Sequence, residues 1–210
     1  MGSGRAVWAL IETLKTRRAG RLPRVVVASS ATEARAAAAG FEIVSLDGTV
    51  TPDVAVDGAD ELDRELNLIK GHGAALLREK LVVVAANRFF VLAERAKLVG
   101  RLGEGMLLPV EVVRFAWGQT RRRLLEVVPE ATLRLGDDRA PIVTDENHYL
   151  LDCVVPEGHN LVELSEALKA TLGVVEHGLF LGMADQAFLG TPEGRVETLS
   201  RRVGAAPGTK

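Results

Sequence analysis

Short apolar runs alternate with amphipathic stretches along the first half of the chain. Ala6, Val7, Leu10, Ile11 and Leu14 recur at helical spacing directly after Gly2-Ser3-Gly4 and predict a helix there. The β-branched run over residues 24–28 predicts a strand. Ser30-Ala31-Thr32-Glu33 has the spacing of a capping box, in which a hydroxyl and a carboxylate satisfy the free amides of a helix start, and Gly40 suits that helix's stop. Residues 42–46 and 53–56 predict short strands, residues 74–84 a helix and residues 89–92 a further strand. Alternating β and α units imply a mainly parallel sheet covered by helices.

The texture changes near Gly103-Glu104-Gly105. Beyond it the pattern predicts a strand (110–115), a helix (120–128), a strand (132–135), a turn at Gly136-Asp137-Asp138, strands at Ile142-Val143 and 149–154, a helix (161–172) and a strand (174–177). This is a small α+β unit of about 70 residues, near the lower end of domain size. After Gly178 the chain is expected to return to the first sheet, and residues 205–210 to fray. The expected class is therefore α/β: a Rossmann-like, mainly parallel sheet with helices on both faces, plus a small ferredoxin-like α+β domain. The expected domains are residues 1–105 with 178–210, and residues 106–177.

Composition narrows the function. Lys and Arg total 26 against 28 Asp and Glu, a formal charge of −2, and 47% of residues are hydrophobic, as in folded soluble proteins. No global basic footprint points to nucleic acid, so any phosphate binding must be local. Arg121-Arg122-Arg123 then reads as a solvated helix face. No apolar run reaches the roughly 20 residues that span a bilayer. The single cysteine, Cys153, excludes an internal disulfide and reads as a core strand residue. His72, His148, His159 and His177 do not pair at ligand spacing, so no zinc site is expected. Trp8 and Trp117 read as packing residues.

Three constellations could carry chemistry. Asp57-Gly58-Ala59-Asp60-Glu61 follows a predicted strand, and ligands of open α/β sheets sit beyond the carboxyl ends of strands. Two carboxylates three apart can converge on one ligand there; the alternative is a turn with a helix cap. Lys70-Gly71-His72-Gly73 leads a cation and a glycine loop into the helix that carries Glu79. Helix-end amides favour anions, and glycines let a ligand approach the backbone. The alternative for Glu79 is a solvated helix residue beside Arg78 and Lys80. The loop lacks the Gly-Lys-Ser/Thr of a Walker motif. Gly2-Ser3-Gly4-Arg5-Ala6 is again a glycine loop opening a helix, with Arg5 a cation suited to phosphate; the alternative is a simple N-terminal cap.

Taken in order, these blocks resemble the ribose-5-phosphate isomerase A family. The resemblance rests on Asp57-Gly58-Ala59-Asp60-Glu61, on residues 68–80 from Leu68 through the Lys70 glycine loop to Lys80, and on Lys97 after a strand. Pro109-Val110-Glu111-Val112, Thr144-Asp145, Asp152 and residues 173–180 resemble later signatures. It spans nearly the whole chain. It implies a reversible aldose–ketose isomerisation of D-ribose 5-phosphate and D-ribulose 5-phosphate through an enediolate, in the non-oxidative pentose phosphate pathway, with no metal or organic cofactor. Carried onto this chain, Glu79 is the base that moves a proton between C1 and C2. Asp57 assists ring opening and hydroxyl proton traffic. Asp60 and Lys70 hold substrate hydroxyls and stabilise the developing oxyanion. Gly58 and Ala59 line the substrate, and Gly71, His72 and Gly73 offer backbone amides. Ser3, Gly4, Arg5, Ala6 and Lys97 bind the phosphate end. The expected partners are a small sugar phosphate and further copies of the chain, as a homodimer or homotetramer. No nucleic acid or membrane is expected, and the expected location is cytoplasmic.

The family usually carries a helix and an interior strand before its first glycine loop. Here Met1 stands where that loop begins, so a longer natural protein is expected. The family loop is usually Gly-Thr-Gly-Ser-Thr. In this chain Arg5 and Ala6 replace two hydroxyls with a guanidinium and a methyl, and a charge-assisted pair from Arg5 to phosphate is the expected substitute. His72 occupies a variable position of the second loop. The rival from another class is a non-catalytic sugar-phosphate-binding sensor of the same fold. It would normally need an output domain, and it has no use for a base at Glu79. A coenzyme A transferase would share the fold, and the aspartate turn and lysine loop argue against it.

Overall fold

The structure, a computed structural model, describes residues 1–17 and 20–201. Helix α1 (Gly4–Thr16) is followed by strand β1 (Arg24–Val25), helix α2 (Ser30–Ala38) and strands β2 (Glu42–Ile43) and β3 (Val54–Asp57). Two short strands, β4 (Glu61–Leu62) and β5 (Leu68–Ile69), precede helix α3 (Leu76–Ala85) and strand β6 (Arg88–Glu94), which runs into a 3₁₀ turn over Arg95–Lys97. Then come β7 (Leu108–Val112), α4 (Trp117–Leu124), β8 (Ala131–Leu133) and β9 (Tyr149–Cys153). Helix α5 (Leu161–Ala170), β10 (Val174–His177), β11 (Leu179–Phe180), β12 (Gln186–Gly190) and β13 (Val196–Ser200) complete the fold. The predicted fraying of residues 205–210 lies outside the described residues.

The chain divides into two compact units. The first comprises Met1–Ala59, Arg78–Lys97 and the chain from Gly182 onward. In it β3 and β12 flank β6 in parallel, with Val56 opposite Phe90 and Phe90 opposite Gln186, and β13 closes the edge antiparallel. The interior place of β6 explains why Phe89 and Val91 are fully buried. The chain after Gly182 does return to this sheet, through β12. Strands β1 and β2 form a second parallel pair. Met1 and Gly2 stand between the two sheets: the Ala28 amide donates to the Met1 carbonyl (3.0 Å), and the Gly2 amide donates to Val56 (2.9 Å). Past Val25 the predicted strand thus spends its backbone groups on Met1, and the β1 ladder is short. Helix α1 buries Val7 and Ile11 in a cluster with Val25, Ala36 and Phe41.

The start of α2 differs from the predicted box by one residue. Ser29 is the cap: it is extended, and its hydroxyl accepts from the Thr32 amide at 3.1 Å. Adjacent serines offered the same hydroxyl, and the extended backbone of Ser29 selected between them.

The second unit comprises Asp60–Leu77 and Leu98–Leu181. Its main sheet is antiparallel, ordered β10-β7-β9-β8, and with α4 and α5 it makes the β-α-β-β-α-β succession of a ferredoxin-like fold. Leu108, Val110 and Val112 of β7 and Leu151 and Cys153 of β9 pack against Leu124, Leu164 and Leu168 from the two helices. A second antiparallel sheet, β11-β5-β4, consists of two-residue strands too short to show an alternating pattern. The predicted strand at Ile142-Val143 is absent as such. Isolated bridges pair Leu135 with Pro141 and Val143 with Tyr149, because Pro141 has no N–H for a continuous ladder. The mixed α/β class expected from the alternation is the class observed.

Candidate active site

In the first unit the carboxyl end of β3 delivers Asp57, which is 1% exposed. Its Oδ1 accepts from the Ser3 amide (3.1 Å) and from the Gly58 amide (2.7 Å). Gly2 lies so close that a Cβ there would sit 1.8 Å from the Asp57 Cγ, so the approach itself demands glycine. Ser3 occupies the N-cap position of α1 in an extended conformation but makes no side-chain cap. Its hydroxyl donates instead to Glu79 Oε1 on α3, and Glu79 is 3% exposed. The first-turn amides of α1 therefore keep their capacity for an anion, and no acidic residue occupies that turn. Gly58 packs 3.8 Å from the Ala6 methyl and 3.7 Å from the Leu92 carbonyl, measured from where its Cβ would be. Gly4 takes a φ of +84° at the start of α1. Ala59 is half-buried, Arg5 is exposed, and Lys97 is half-buried in the 3₁₀ turn after β6. Neither Arg5 nor Lys97 pairs with a carboxylate among the described residues.

In the second unit the Asp60 amide donates to Ile69 (2.9 Å), and Asp60 Oδ2 accepts from the His72 amide (3.0 Å). Lys70 is 3% exposed; its backbone amide donates to Gly178, and its Nζ lies 5.4 Å from the Phe180 ring centroid, within cation–π range. Gly71 has φ +110°, and a Cβ there would lie 2.7 Å from Leu76 Cδ2. The Ala74 amide closes the turn onto the Gly71 carbonyl at 3.1 Å. His72 and Gly73 are exposed.

Two groups to which the sequence reading gave no role support this unit. Glu61, 2% exposed, accepts from the amides of Gly103 (2.6 Å) and Gly105 (2.7 Å). Arg134, just past β8, donates from Nη1 to the Gly71 carbonyl (2.9 Å) and the His72 carbonyl (3.2 Å). Its other nitrogens form a two-pronged pair with Asp152 of β9, Nε to Oδ2 at 2.9 Å and Nη2 to Oδ1. Glu61 was visible in the aspartate turn without a role. Arg134 carries no local signal, since its partners lie 62 and 63 positions away.

Of the expected site residues, the fold brings Ser3, Asp57, Gly58 and Glu79 into one hydrogen-bonded cluster. It brings Asp60, Gly71 and His72 into another, with Lys70 leading the same loop. Gly4, Ala6 and Ala59 lie on the segments that carry the first cluster. Among the described residues no three His, Cys, Asp or Glu side chains converge so as to hold a metal ion, and no helix is long and apolar enough to cross a membrane.

Comparison with known proteins gives one consistent result. The family model for ribose 5-phosphate isomerase A (phosphoriboisomerase A) matches residues 24–194. Ribose-5-phosphate isomerase A of Synechococcus sp. (strain JA-3-3Ab) is 46% identical over 83% of this chain and 76% of its own length. The Deinococcus radiodurans protein of the same name is 42% identical over 96% and 89%. Among solved structures, ribose 5-phosphate isomerase from Plasmodium falciparum superimposes with a TM-score of 0.90 at 30% identity, covering 96% of this chain and 89% of that one. Ribose 5-phosphate isomerase A from Methanocaldococcus jannaschii gives 0.88 at 36% identity, covering 95% and 88%. Fold, ordered motifs and relatives agree, and the chain belongs to the ribose 5-phosphate isomerase A family.

Proposed function

We propose that this chain interconverts D-ribose 5-phosphate and D-ribulose 5-phosphate with Glu79 as the carbon base. The observation that carries the assignment is the buried Glu79 carboxylate held by the Ser3 hydroxyl at the mouth of a glycine loop. From the aldose, Glu79 removes the proton on C2 to give the enediolate and returns it to C1, while a hydroxyl proton passes from O2 to O1. Removing a carbon-bound proton beside a carbonyl needs a positioned carboxylate and a stabiliser for the oxygen charge that develops. Lys70 and the amides of Gly71 and Gly73 are suited to that second task, the His72 amide being taken by Asp60 Oδ2, and Asp60 holds a substrate hydroxyl. Asp57 serves ring opening and hydroxyl proton traffic. Ser3, Gly4, Arg5, Ala6 and Lys97 take the phosphate, supported by the uncapped first turn of α1. Contacts so far from C1 convert binding energy into orientation of the reacting carbons.

The same proposal includes a homodimer or homotetramer in the cytoplasm. The test is conversion of ribose 5-phosphate by the purified chain in the presence of EDTA, with Glu79→Gln beside it. Turnover that survives EDTA and disappears in the variant is expected. Substantial turnover by Glu79→Gln would remove Glu79 from the base role.

A further inference from the structure

We infer that Arg134, locked by Asp152, is a positioning residue for isomerisation: it sets the direction in which the second glycine loop presents its amides. The inference rests on the reading of residues 70–73 as the oxyanion-stabilising loop. Arg134 Nη1 touches two successive carbonyls of that loop, Gly71 at 2.9 Å and His72 at 3.2 Å. The peptide between Gly71 and His72 is held from both sides. Its carbonyl accepts from Arg134, and its N–H donates to Asp60 Oδ2 at 3.0 Å. A trans peptide is planar with its C=O and N–H opposed, so these two contacts fix the plane.

The next peptide follows the same rule. The His72 carbonyl turns toward Arg134, so the Gly73 N–H points the opposite way. That amide belongs to an exposed residue and donates to no other group among the described residues. The guanidinium also draws on both carbonyls, and polarising a peptide at its oxygen makes its N–H a stronger donor. Gly71 and Gly73 have no side chains with which to choose this orientation, and the one side chain of the loop, the His72 ring, faces the Leu107 carbonyl at 3.4 Å rather than the peptide planes. The choice comes from the residue that follows β8 and from β9, where the paired Arg134 and Asp152 side chains are 10% and 17% exposed. The fork of a guanidinium suits this task, since it can grip a carboxylate with two nitrogens and still offer a third. An ammonium has no such geometry.

The experiment uses the full chain with Arg134→Lys, Arg134→Ala and Asp152→Asn. Each is assayed for kcat and KM with ribose 5-phosphate, and titrated calorimetrically with phospho-erythronic acid, an acid whose carboxylate stands in for the charged enediolate. A misplaced loop is expected to lower kcat about 10- to 100-fold in both Arg134 variants, with KM nearly unchanged. The dissociation constant of the acid should rise by a factor comparable to the loss in kcat/KM, at unchanged stoichiometry. Asp152→Asn should show the same pattern with smaller factors.

A purely structural residue would give a different result, lowering the binding stoichiometry and apparent kcat together through loss of folded protein while the dissociation constant stays at the wild-type value. That outcome, or wild-type kinetics in Arg134→Ala, overturns the inference. Should Arg134→Ala not fold, Arg134→Lys and Asp152→Asn carry the test, and failure of all three to fold also assigns Arg134 to structure alone. Wild-type turnover with Glu79→Gln inactive would leave the proposed function standing in either case, so the two failures are distinguishable.

Discussion

Two glycine loops open two helices in this protein, and they are held in different ways. The first, residues 2–4, is held by what it donates, its amides and the Ser3 hydroxyl. The Gly2 amide bonds Val56, the Ser3 amide bonds Asp57, and the absence of a side chain on Gly2 lets the chain press against that carboxylate. The second, residues 71–73, is held by charged side chains, with Asp60 on one side of a peptide plane and Arg134 on the other. In the first loop the glycine is needed because a carboxylate fills the space of a Cβ. In the second, Gly71 is needed both for its φ of +110° and for the nearness of Leu76. The packing of Gly2 on the Asp57 carboxylate tolerates no added atom at the contact. Side-chain support is adjustable, and it depends on residues far along the sequence.

The largest expected effect separates the chemistry from both loops. Glu79→Gln keeps the shape and loses the base, so kcat should fall about 10²- to 10⁴-fold with an unchanged circular dichroism spectrum. A fall of less than tenfold would contradict the assignment. Next, the two glycines can be set against each other. Gly2→Ala forces the Asp57 carboxylate aside and should lower kcat/KM by up to about 100-fold, the scale of a misplacement near 1 Å. Gly71→Ala imposes a strained φ and a clash with Leu76, and should lower stability by about 1–3 kcal/mol, read as a shift in denaturant midpoint. If Gly2→Ala proved the more destabilising and the less inactivating, the contrast between the loops would be reversed.

Ser3→Ala is a gentler probe of the first loop, because the Ser3 amide still donates to Asp57 while the hydroxyl on Glu79 is lost. Hydrogen bonds to charged groups contribute about 1.5–3 kcal/mol, so a drop in kcat/KM of about tenfold or more is expected in a pH profile that also reports any change at Glu79. The smallest effect belongs to the core of the second unit. Cys153 is fully buried, and burial, with the Asp152 charge adding, pushes its thiol up to about 12. A raised acid favours the neutral form on folding. This contribution is present below the ordinary thiol value of 9.0 and is lost as pH rises through about 12. Thiol reagent at pH 8 should therefore label the native chain hardly at all and the denatured chain at once; rapid native labelling would show that this core opens.

Much of this was legible in the chain. The periodicity of Val7 and Ile11 predicted α1, and alternation placed β6, β7, β9 and β10 within a few residues. The motifs single out Asp57, Asp60, Lys70 and Glu79. The two-residue strands β4, β5 and β11 were not legible, since a repeat of two cannot show in two residues. Nor was the choice of Ser29 over Ser30 as a cap, because equal side chains were distinguished only by backbone conformation.

By itself the sequence determined which residue types were available for the chemistry, and the local order of strand, turn and helix that carries them. These depend on side-chain spacing and turn propensity, which act over a few residues. The tertiary structure decided which of those groups meet. It set the Ser3 hydroxyl on Glu79, 76 positions away, and the Arg134 guanidinium on the carbonyls of Gly71 and His72. Hydrogen bonds of this range follow from the packing of whole strands and helices, which no short stretch of the chain encodes.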